Sequence, residues 1–184
     1  MPAIYHACPV EMQENMLYPL NGLKALYPEL YQREIAKYRD HPSRYDLPQL
    51  FVPKLNCRWS DVVFCSPIHP YLIYKELQAR GFTLSPDKTF FQIPIEAIRG
   101  LPTAIYYDSN AHGVAEALPE EAVAWLKPES YQELERVPEE TLAWYDHLKS
   151  VGRNGAYFVG VPHVLVKGAI SIKEARIVRW SEKI

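Results

Sequence analysis

The order in which strand-like and helix-like segments follow one another restricts the fold of this chain more than any other feature. Short apolar, β-prone segments lie near both ends and in the middle of the 184 residues, and two longer helical stretches interrupt them. Strands alternating regularly with helices would predict a parallel sheet covered on both faces. The irregular order instead predicts an α+β fold, with a mixed or antiparallel sheet core and helical insertions, in a single domain over residues 1–184.

Apolar patterning and proline or glycine positions locate the individual elements. The predicted strands are 2–8, 60–66, 89–95, 102–110, 156–159, 163–166 and 175–179. The predicted helices are 28–39, a segment from Pro67 to Gly81, and 137–152 within a region, 111–150, of helical composition that prolines interrupt. Residues 41–56 contain three prolines and are predicted to form a surface loop.

Composition and charge exclude several classes of protein. No GxGxxG or GxxxxGK[ST] motif is present, so the usual phosphate loops are not predicted. With 20 basic and 22 acidic residues, the chain has no global field that would draw it to nucleic acid or to anionic lipid. Three cysteines without a CxxC pair predict a reducing, cytoplasmic setting. No segment has the roughly 20 apolar residues that cross a bilayer, and no signal-peptide pattern is seen, so no membrane partner is expected.

Polar side chains at the ends of predicted strands form the candidate site. They are His6, Asp61, His69, Asp108, Asn110 and His163. A rigid sheet positions such side chains, while the adjoining loops leave room for a ligand. Each also has a purely structural interpretation, as a hydrogen-bonded imidazole or as a turn residue that caps its own backbone. The spacing of the three histidines matches no local metal motif, so no metal site is predicted.

Aromatic content adds to this picture, because 13 of the 23 aromatic residues are tyrosines. A tyrosine has a flat apolar ring with one polar end, which suits a partly wet cleft. Tyr5 and Tyr71 are the tyrosines expected to stack on a base.

A basic window lies between residues 33 and 58 and is the candidate nucleic-acid contact. Its members include Arg33, Lys37, Arg44, Lys54 and Arg58. Binding through such a patch would weaken steeply with salt. The alternative is a solvated helix face followed by a polar loop.

Four stretches, taken in order, resemble the DarT-like DNA ADP-ribosyltransferases. They are IYHACP, SDVVFCSPIHPYLIY, FFQIPIEAIRGLPTAIYYDSNAHG and HVLVKGAISIKEARI. The resemblance implies an ADP-ribosyltransferase-like fold, NAD as the glycosyl donor and DNA, rather than RNA, as the nucleic-acid partner. It also implies that His6 holds the nicotinamide or ribose end of NAD.

Two positions depart from the pattern of that family. His163 occupies the place of the catalytic glutamate, and Ile68 and His69 stand where the family has an arginine. A neutral imidazole acts as a general base but supplies no negative charge beside an oxocarbenium-like sugar.

Three hypotheses follow from these observations. The first is an enzyme acting at an N-glycosidic bond, either by ADP-ribosyl transfer to a DNA base or, without NAD, by glycosylase-type base release. His163, Asp108 and His69 are then the catalytic residues, and His6, Tyr5, Tyr71, Asn110 and Asp61 bind the substrate. The second is a catalytically inactive module that binds a nucleotide, a nucleic acid or a protein. The third is an accessory protein whose tyrosine-rich surface binds a partner protein.

Overall fold

The computed structural model describes residues 1–39, 44–107 and 116–184 of the chain. Its α-helices within these ranges are α1 (Leu20–Leu26), α2 (Pro28–Arg39), α3 (Pro70–Ala79) and α4 (Glu139–Ser150). Its strands are β1 (Ala3–Ala7), β2 (Met16–Leu17), β3 (Phe51–Val52), β4 (Cys57–Arg58), β5 (Val62–Cys65), β6 (Thr89–Pro94), β7 (Thr103–Tyr106), β8 (Val123–Trp125), β9 (His163–Lys167), β10 (Ile170–Ser171) and β11 (Arg176–Arg179).

Two antiparallel sheets form the centre of the fold. In the three-stranded sheet, β6 lies between β1 and β11. In the four-stranded sheet, the order is β5, β9, β7 and β8. Two short pairs, β2 with β10 and β3 with β4, are antiparallel as well. The arrangement confirms the predicted α+β class with an antiparallel sheet, while its ADP-ribosyltransferase-like character stays a prediction.

The two sheets are joined where β1 passes the end of β5. The N–H of Tyr5 donates to the carbonyl of Ser66 at 2.9 Å, and the N–H of Ser66 donates to the carbonyl of Tyr5 at 2.7 Å. Further along the same edge of β5, the carbonyl of Phe64 accepts a hydrogen bond from the side chain of His6. His6 therefore lies at the corner between the two sheets.

Alternating residues of the central strands pack into three buried clusters. On β6, Phe91 belongs to a cluster between the two sheets, whereas Phe90 faces α3 and α4. On β9, Val164 lies in the same inter-sheet cluster, whereas Leu165 faces β3 and β4. This alternation follows from the two-residue repeat of a strand, and each fully buried large apolar side chain contributes about 1.5–3 kcal/mol.

One predicted strand, 156–159, is wrong. These residues form turns, and both Gly155 and Ala156 adopt positive φ angles, of 103° and 52°. The carbonyl of Ala156 accepts from the indole of Trp144, and that of Tyr157 accepts from the hydroxyl of Tyr145. The segment's hydrogen bonds are therefore made with side chains of α4 and within its own turns, and not with a neighbouring strand.

Two other boundaries differ from the expectation because of local turns. The strand predicted at 60–66 begins only at Val62, since Trp59–Asp61 form a 3-10 turn. The described part of the region 111–150 is helical only in α4, and residues 116–138 contain β8 and short 3-10 turns. Prolines 119, 128 and 138 each disfavour the helical conformation of the residue before them, so no helix runs on through these positions.

Candidate functional site

His6 is held at the sheet corner by a hydrogen bond to the main chain of β5. Its Nδ1 lies 2.6 Å from the carbonyl oxygen of Phe64. Because a carbonyl only accepts, Nδ1 carries the proton in this contact, and the Nε2 of the neutral ring is then an acceptor. Burial lowers the pKa of His6, while the Phe64 carbonyl and Glu34 act in the opposite direction. The ring is therefore a fixed, mostly neutral acceptor near neutral pH.

The ring of His6 lines a cavity of about 150 Å³ that lies beneath α1 and α2, and we call it the hairpin cavity. Its floor comes from β1 and β5, and its cover comes from the two helices and residues 9–19. Asn21 fixes α1 over the floor, because its amide donates to Ser60 Oγ at 3.0 Å and to Asp61 Oδ1 at 2.6 Å.

Four aromatic side chains line this cavity together with His6: Tyr18, Tyr38, Trp59 and Phe64. The rings of Trp59 and Phe64 lie 4.1 Å apart, centre to centre, with 31° between their planes. Tyr38 lines the same wall, and its pKa is raised, mainly by burial. The packed rings of Trp59 and Phe64, with Tyr38 beside them, make an aromatic wall of the kind that accommodates a planar ligand.

Glu34 is the residue of this cavity that sequence reasoning missed. It lies on α2 in line with Leu30 and Tyr38, at spacings of four residues, and all three line the cavity. A carboxylate in a row of apolar and aromatic positions was the signal available in the sequence. Glu34 also bonds Lys37 Nζ at 2.6 and 2.7 Å, and its side chain is 29% exposed.

Charge in the hairpin cavity is of one sign. Glu11 lines it together with Glu34, and no lysine or arginine is among its described lining residues. The guanidinium of Arg33 bonds both carboxylate oxygens of Glu11 from outside the cavity, and this contact lowers the pKa of Glu11. The cavity thus suits a neutral or cationic ring better than an anion.

His163 lies in a second cavity, of about 390 Å³, which we call the Lys88 groove. Lys88, residues 155–159 and His163 line it. The Nδ1 of His163 donates to the carbonyl of Val161 at 2.8 Å, and its ring centre lies 6.3 Å from that of Phe64. The hairpin cavity and the Lys88 groove share no lining residue. These two cavities therefore do not form the single cleft expected for His6 and His163, although Phe64 contacts both histidines.

Tyr5 and His69 belong to a third group of polar side chains. The hydroxyl of Tyr5 donates to Glu133 Oε2 at 2.7 Å, and the N–H of Ala3 donates to Glu133 Oε1 at 2.8 Å. The rings of Tyr5 and His69 meet edge to face, 5.0 Å apart. Tyr5 and His6 are successive residues of β1, so they point to opposite faces of the strand. Tyr5 is therefore engaged with Glu133 and does not line the hairpin cavity.

Three other candidate residues, His69, Tyr71 and Asp61, take part in contacts within the fold. His69 is buried and caps α3, since its Nδ1 accepts from the N–H of Tyr71 at 3.2 Å. Asp61 accepts from the N–H of Arg58 at 2.9 Å and from Asn21. None of His69, Tyr71 and Asp61 lines the hairpin cavity or the Lys88 groove. Asp108 and Asn110 lie outside the described residues.

Most of the basic window is engaged in ion pairs or hydrogen bonds. Arg33 pairs with Glu11, Lys37 with Glu34, Lys54 with Glu120 at 2.8 Å, and Arg58 with the side-chain oxygen of Gln49. Arg44 is exposed. Such exposed pairs contribute little to stability. Phosphate binding through the window would nevertheless require these contacts to be exchanged, and nucleic-acid contact through it stays a prediction from the sequence.

Neither a metal centre nor a membrane span is found in the part of the chain that the structure describes. No group of three or more His, Cys, Asp or Glu residues there is arranged to hold a metal ion. Among the same residues, no helix has both the length and the apolar character needed to pass through a bilayer.

Comparisons with known proteins identify no relative of this chain. No protein-family model, no curated protein and no solved structure matches the chain. The geometry of the two cavities is therefore the basis for a functional proposal.

Proposed function

We propose that this protein is a nucleotide-directed enzyme that acts at an N-glycosidic bond, with the base and its sugar bound in the hairpin cavity. The observation that carries the proposal is the make-up of that cavity. A neutral histidine with a fixed tautomer, four aromatic side chains and two carboxylates line it, without a lysine or arginine among its described lining residues. A glycoside of a cationic base is the nucleotide fragment that matches this set best.

The residues of the cavity match the needs of glycosidic cleavage. When the C1′–N bond breaks, its electron pair leaves with the base, and positive charge develops on the sugar. Glu34 supports the proposal because its carboxylate lies in the cavity with His6 and would stabilise this charge. The acceptor, water or a nucleic-acid base, forms the new bond to C1′, and the proton that it releases goes to Nε2 of His6.

NAD is the glycoside that the resemblance to the DarT-like transferases implies, and it would supply an ADP-ribosyl group whose cationic nicotinamide ring leaves as neutral nicotinamide. The cavity suits the nicotinamide and its ribose, because the aromatic side chains and carboxylates favour a flat cation. It does not suit the diphosphate, which would meet Glu11 and Glu34 without a cation from the described lining. DNA as the acceptor and a cytoplasmic setting remain predictions from the sequence.

A second candidate function is a binding module without turnover. The ion pair between Glu34 and Lys37 favours it, because a neutralised carboxylate stabilises developing charge less well. The position of His163 favours it as well, since the imidazole at the family's glutamate position lines the other cavity.

Two assays test the proposal. The first measures release of nicotinamide from NAD, with water or a single-stranded oligonucleotide as the acceptor, and the second measures base release from DNA. We expect the wild type to show one of these activities and Glu34→Gln or His6→Gln to lower its rate by roughly a hundredfold or more. Glu29→Gln is the matched control, since Glu29 is exposed on the same helix and does not line the cavity. Its rate is expected to stay near that of the wild type.

The same samples separate the two candidate functions. If the wild type is inactive but nicotinamide mononucleotide raises its melting temperature by the amount that the affinity of this ligand requires, the protein is a binding module. If nicotinamide is not released, no base is released and no ligand raises the melting temperature, the assignment of a nucleotide to the hairpin cavity is wrong.

A further inference from the structure

The Lys88 groove differs from the hairpin cavity in the charge of its lining. Among its described lining residues, Lys88 is a cation, His163 is an imidazole, and no carboxylate is present. The rest of the lining is the turn segment 155–159. A concave surface with a cation and main chain but no acid is the opposite of the acidic, aromatic cavity beneath α1 and α2.

Lys88 is held over aromatic rings and not by a carboxylate. Its Nζ lies 5.3 Å from the ring centre of Trp180, 5.4 Å from that of Phe90 and 6.0 Å from that of Phe158. No ion pair of Lys88 is formed within the described part of the chain. The residue is exposed at the rim, yet burial of its amine against the rings lowers its pKa. An anion arriving from solvent would supply the opposite charge that this ammonium lacks.

The main chain of residues 156–158 adds two donors at this groove. The carbonyl of Ala156 accepts from Trp144 Nε1 at 3.0 Å, and the carbonyl of Tyr157 accepts from the hydroxyl of buried Tyr145 at 2.6 Å. In a trans peptide the N–H points opposite to the carbonyl, and no described peptide bond is cis. The N–H groups of Tyr157 and Phe158 therefore point away from α4.

These two N–H groups make no hydrogen bond to another described residue. They follow directly on Gly155 and Ala156, which have positive φ angles of 103° and 52°. Successive main-chain N–H groups in a turn form a concave set of donors that binds anions. Without an external acceptor, the two donors are left to water.

We propose that the Lys88 groove binds a phosphate group. A tetrahedral oxyanion accepts hydrogen bonds from several directions, which matches an ammonium and two main-chain amides at the same groove. The assignment is independent of the reaction proposed for the hairpin cavity, because it depends on other residues and needs no turnover. The phosphate is that of a free nucleotide or that of a nucleic-acid strand.

Amide resonances of the labelled wild-type protein test this inference. Titration with inorganic phosphate, at an ionic strength held constant with chloride, is expected to shift the resonances of Tyr157 and Phe158. Lys88→Gln is expected to weaken phosphate binding by about tenfold or more, the usual effect of losing a charged hydrogen-bond donor. Lys75→Gln, which removes an exposed lysine of α3 outside the groove, is expected to bind phosphate like the wild type.

Two further probes identify the source of the phosphate. Tighter binding of adenosine monophosphate than of inorganic phosphate, with the same dependence on Lys88, indicates a free nucleotide. Tighter binding of a short single-stranded oligonucleotide without a terminal phosphate, again dependent on Lys88, indicates a nucleic-acid strand. The inference is overturned if none of the three probes shifts these two amides, or if Lys88→Gln binds each probe as tightly as the wild type.

Discussion

The imidazole of His6 donates from Nδ1 to the main-chain carbonyl of Phe64, over 2.6 Å, at the corner where the two sheets meet. This bond connects the side chain of β1 to the backbone of β5 and sets the tautomer of the ring. Glu34, whose charge acts to raise the pKa of the same ring and which lines the same cavity, comes from α2. A floor made by two strands and a cover made by a helix thus hold the two groups on which the proposed chemistry depends.

Protein stability should fall as the pH drops below 6.5. The pKa values of His6 and His69 are both lowered from 6.5 by burial, although Glu34 and Glu133 respectively act to raise them. Below pH 6.5 these histidines bind protons in the unfolded chain but not yet in the folded one. The free energy of unfolding therefore falls as the pH drops from 6.5 to the lowered pKa values, and it stays lower beneath them. Melting temperatures of wild type and His6→Gln, measured from pH 7.5 to 5.5, check this.

The slope for His6→Gln should be smaller than that of the wild type. His147→Gln serves as the control, because His147 is exposed on α4. If His6→Gln and His147→Gln lose stability with acid in parallel with the wild type, burial of His6 does not contribute to the pH dependence.

Glu133→Gln should loosen the start of β1. The carboxylate accepts both the hydroxyl of Tyr5 and the N–H of Ala3, at 2.7 and 2.8 Å, and one of its oxygens becomes an NH₂ donor in the variant. A buried donor left without its acceptor costs about 1–3 kcal/mol. Urea unfolding measures this loss, and Glu135→Gln, at a nearby exposed position, should change the stability by less than about 0.5 kcal/mol. Equal midpoints for the two variants would contradict the structural role of Glu133.

Gly160→Ala should destabilise the fold more than Gly100→Ala. Both glycines have positive φ angles, of 79° and 83°, so the backbone strain of an alanine is similar at the two positions. A Cβ at Gly160 would lie 2.8 Å from Thr141 Oγ1 and 3.0 Å from Thr141 N, whereas nothing lies within 4 Å at Gly100.

The difference in the free energy of unfolding between these two glycine variants measures the effect of the close approach of residue 160 to the first turn of α4. We expect it to be about 1–3 kcal/mol, the usual penalty for overpacking. Chemical denaturation of both variants gives the value. A difference near zero would mean that α4 moves away from Gly160 without cost.

Alkylation of the native protein should modify Cys8 first. All three cysteines are free, but Cys57 and Cys65 are buried, at 8% and 3% exposure, whereas Cys8 is partly exposed. Burial raises the pKa of all three thiols, Cys8 included, so exposure to the reagent is what distinguishes Cys8. Mass spectrometry after brief treatment with iodoacetamide should show one adduct on the folded chain and three in guanidinium. Early labelling of Cys65 would show that the inter-sheet core opens readily.

Local pattern was sufficient for much of the secondary structure. The helix predicted at 28–39 is α2 with the same bounds, and the strand predicted at 163–166 is β9 with one added residue. Residues close in sequence are enough to predict these segments, because the helical repeat of 3.6 residues and the strand repeat of two residues both relate near neighbours. Glu34 could have been predicted in the same way, because it lies four residues from both Leu30 and Tyr38 on one face of a predicted helix.

Contacts between distant segments account for what the pattern missed. Glu133 meets Tyr5 across 128 positions, and Lys88 faces the segment 155–159, whose apolar residues resembled a strand. His6 and His163 both touch Phe64, yet they line different cavities. Hydrophobic periodicity specifies which face of a segment is buried but not which other segment covers it. That choice follows from the simultaneous packing of both sheets with α1 and α2, and it sets which polar groups share a cavity.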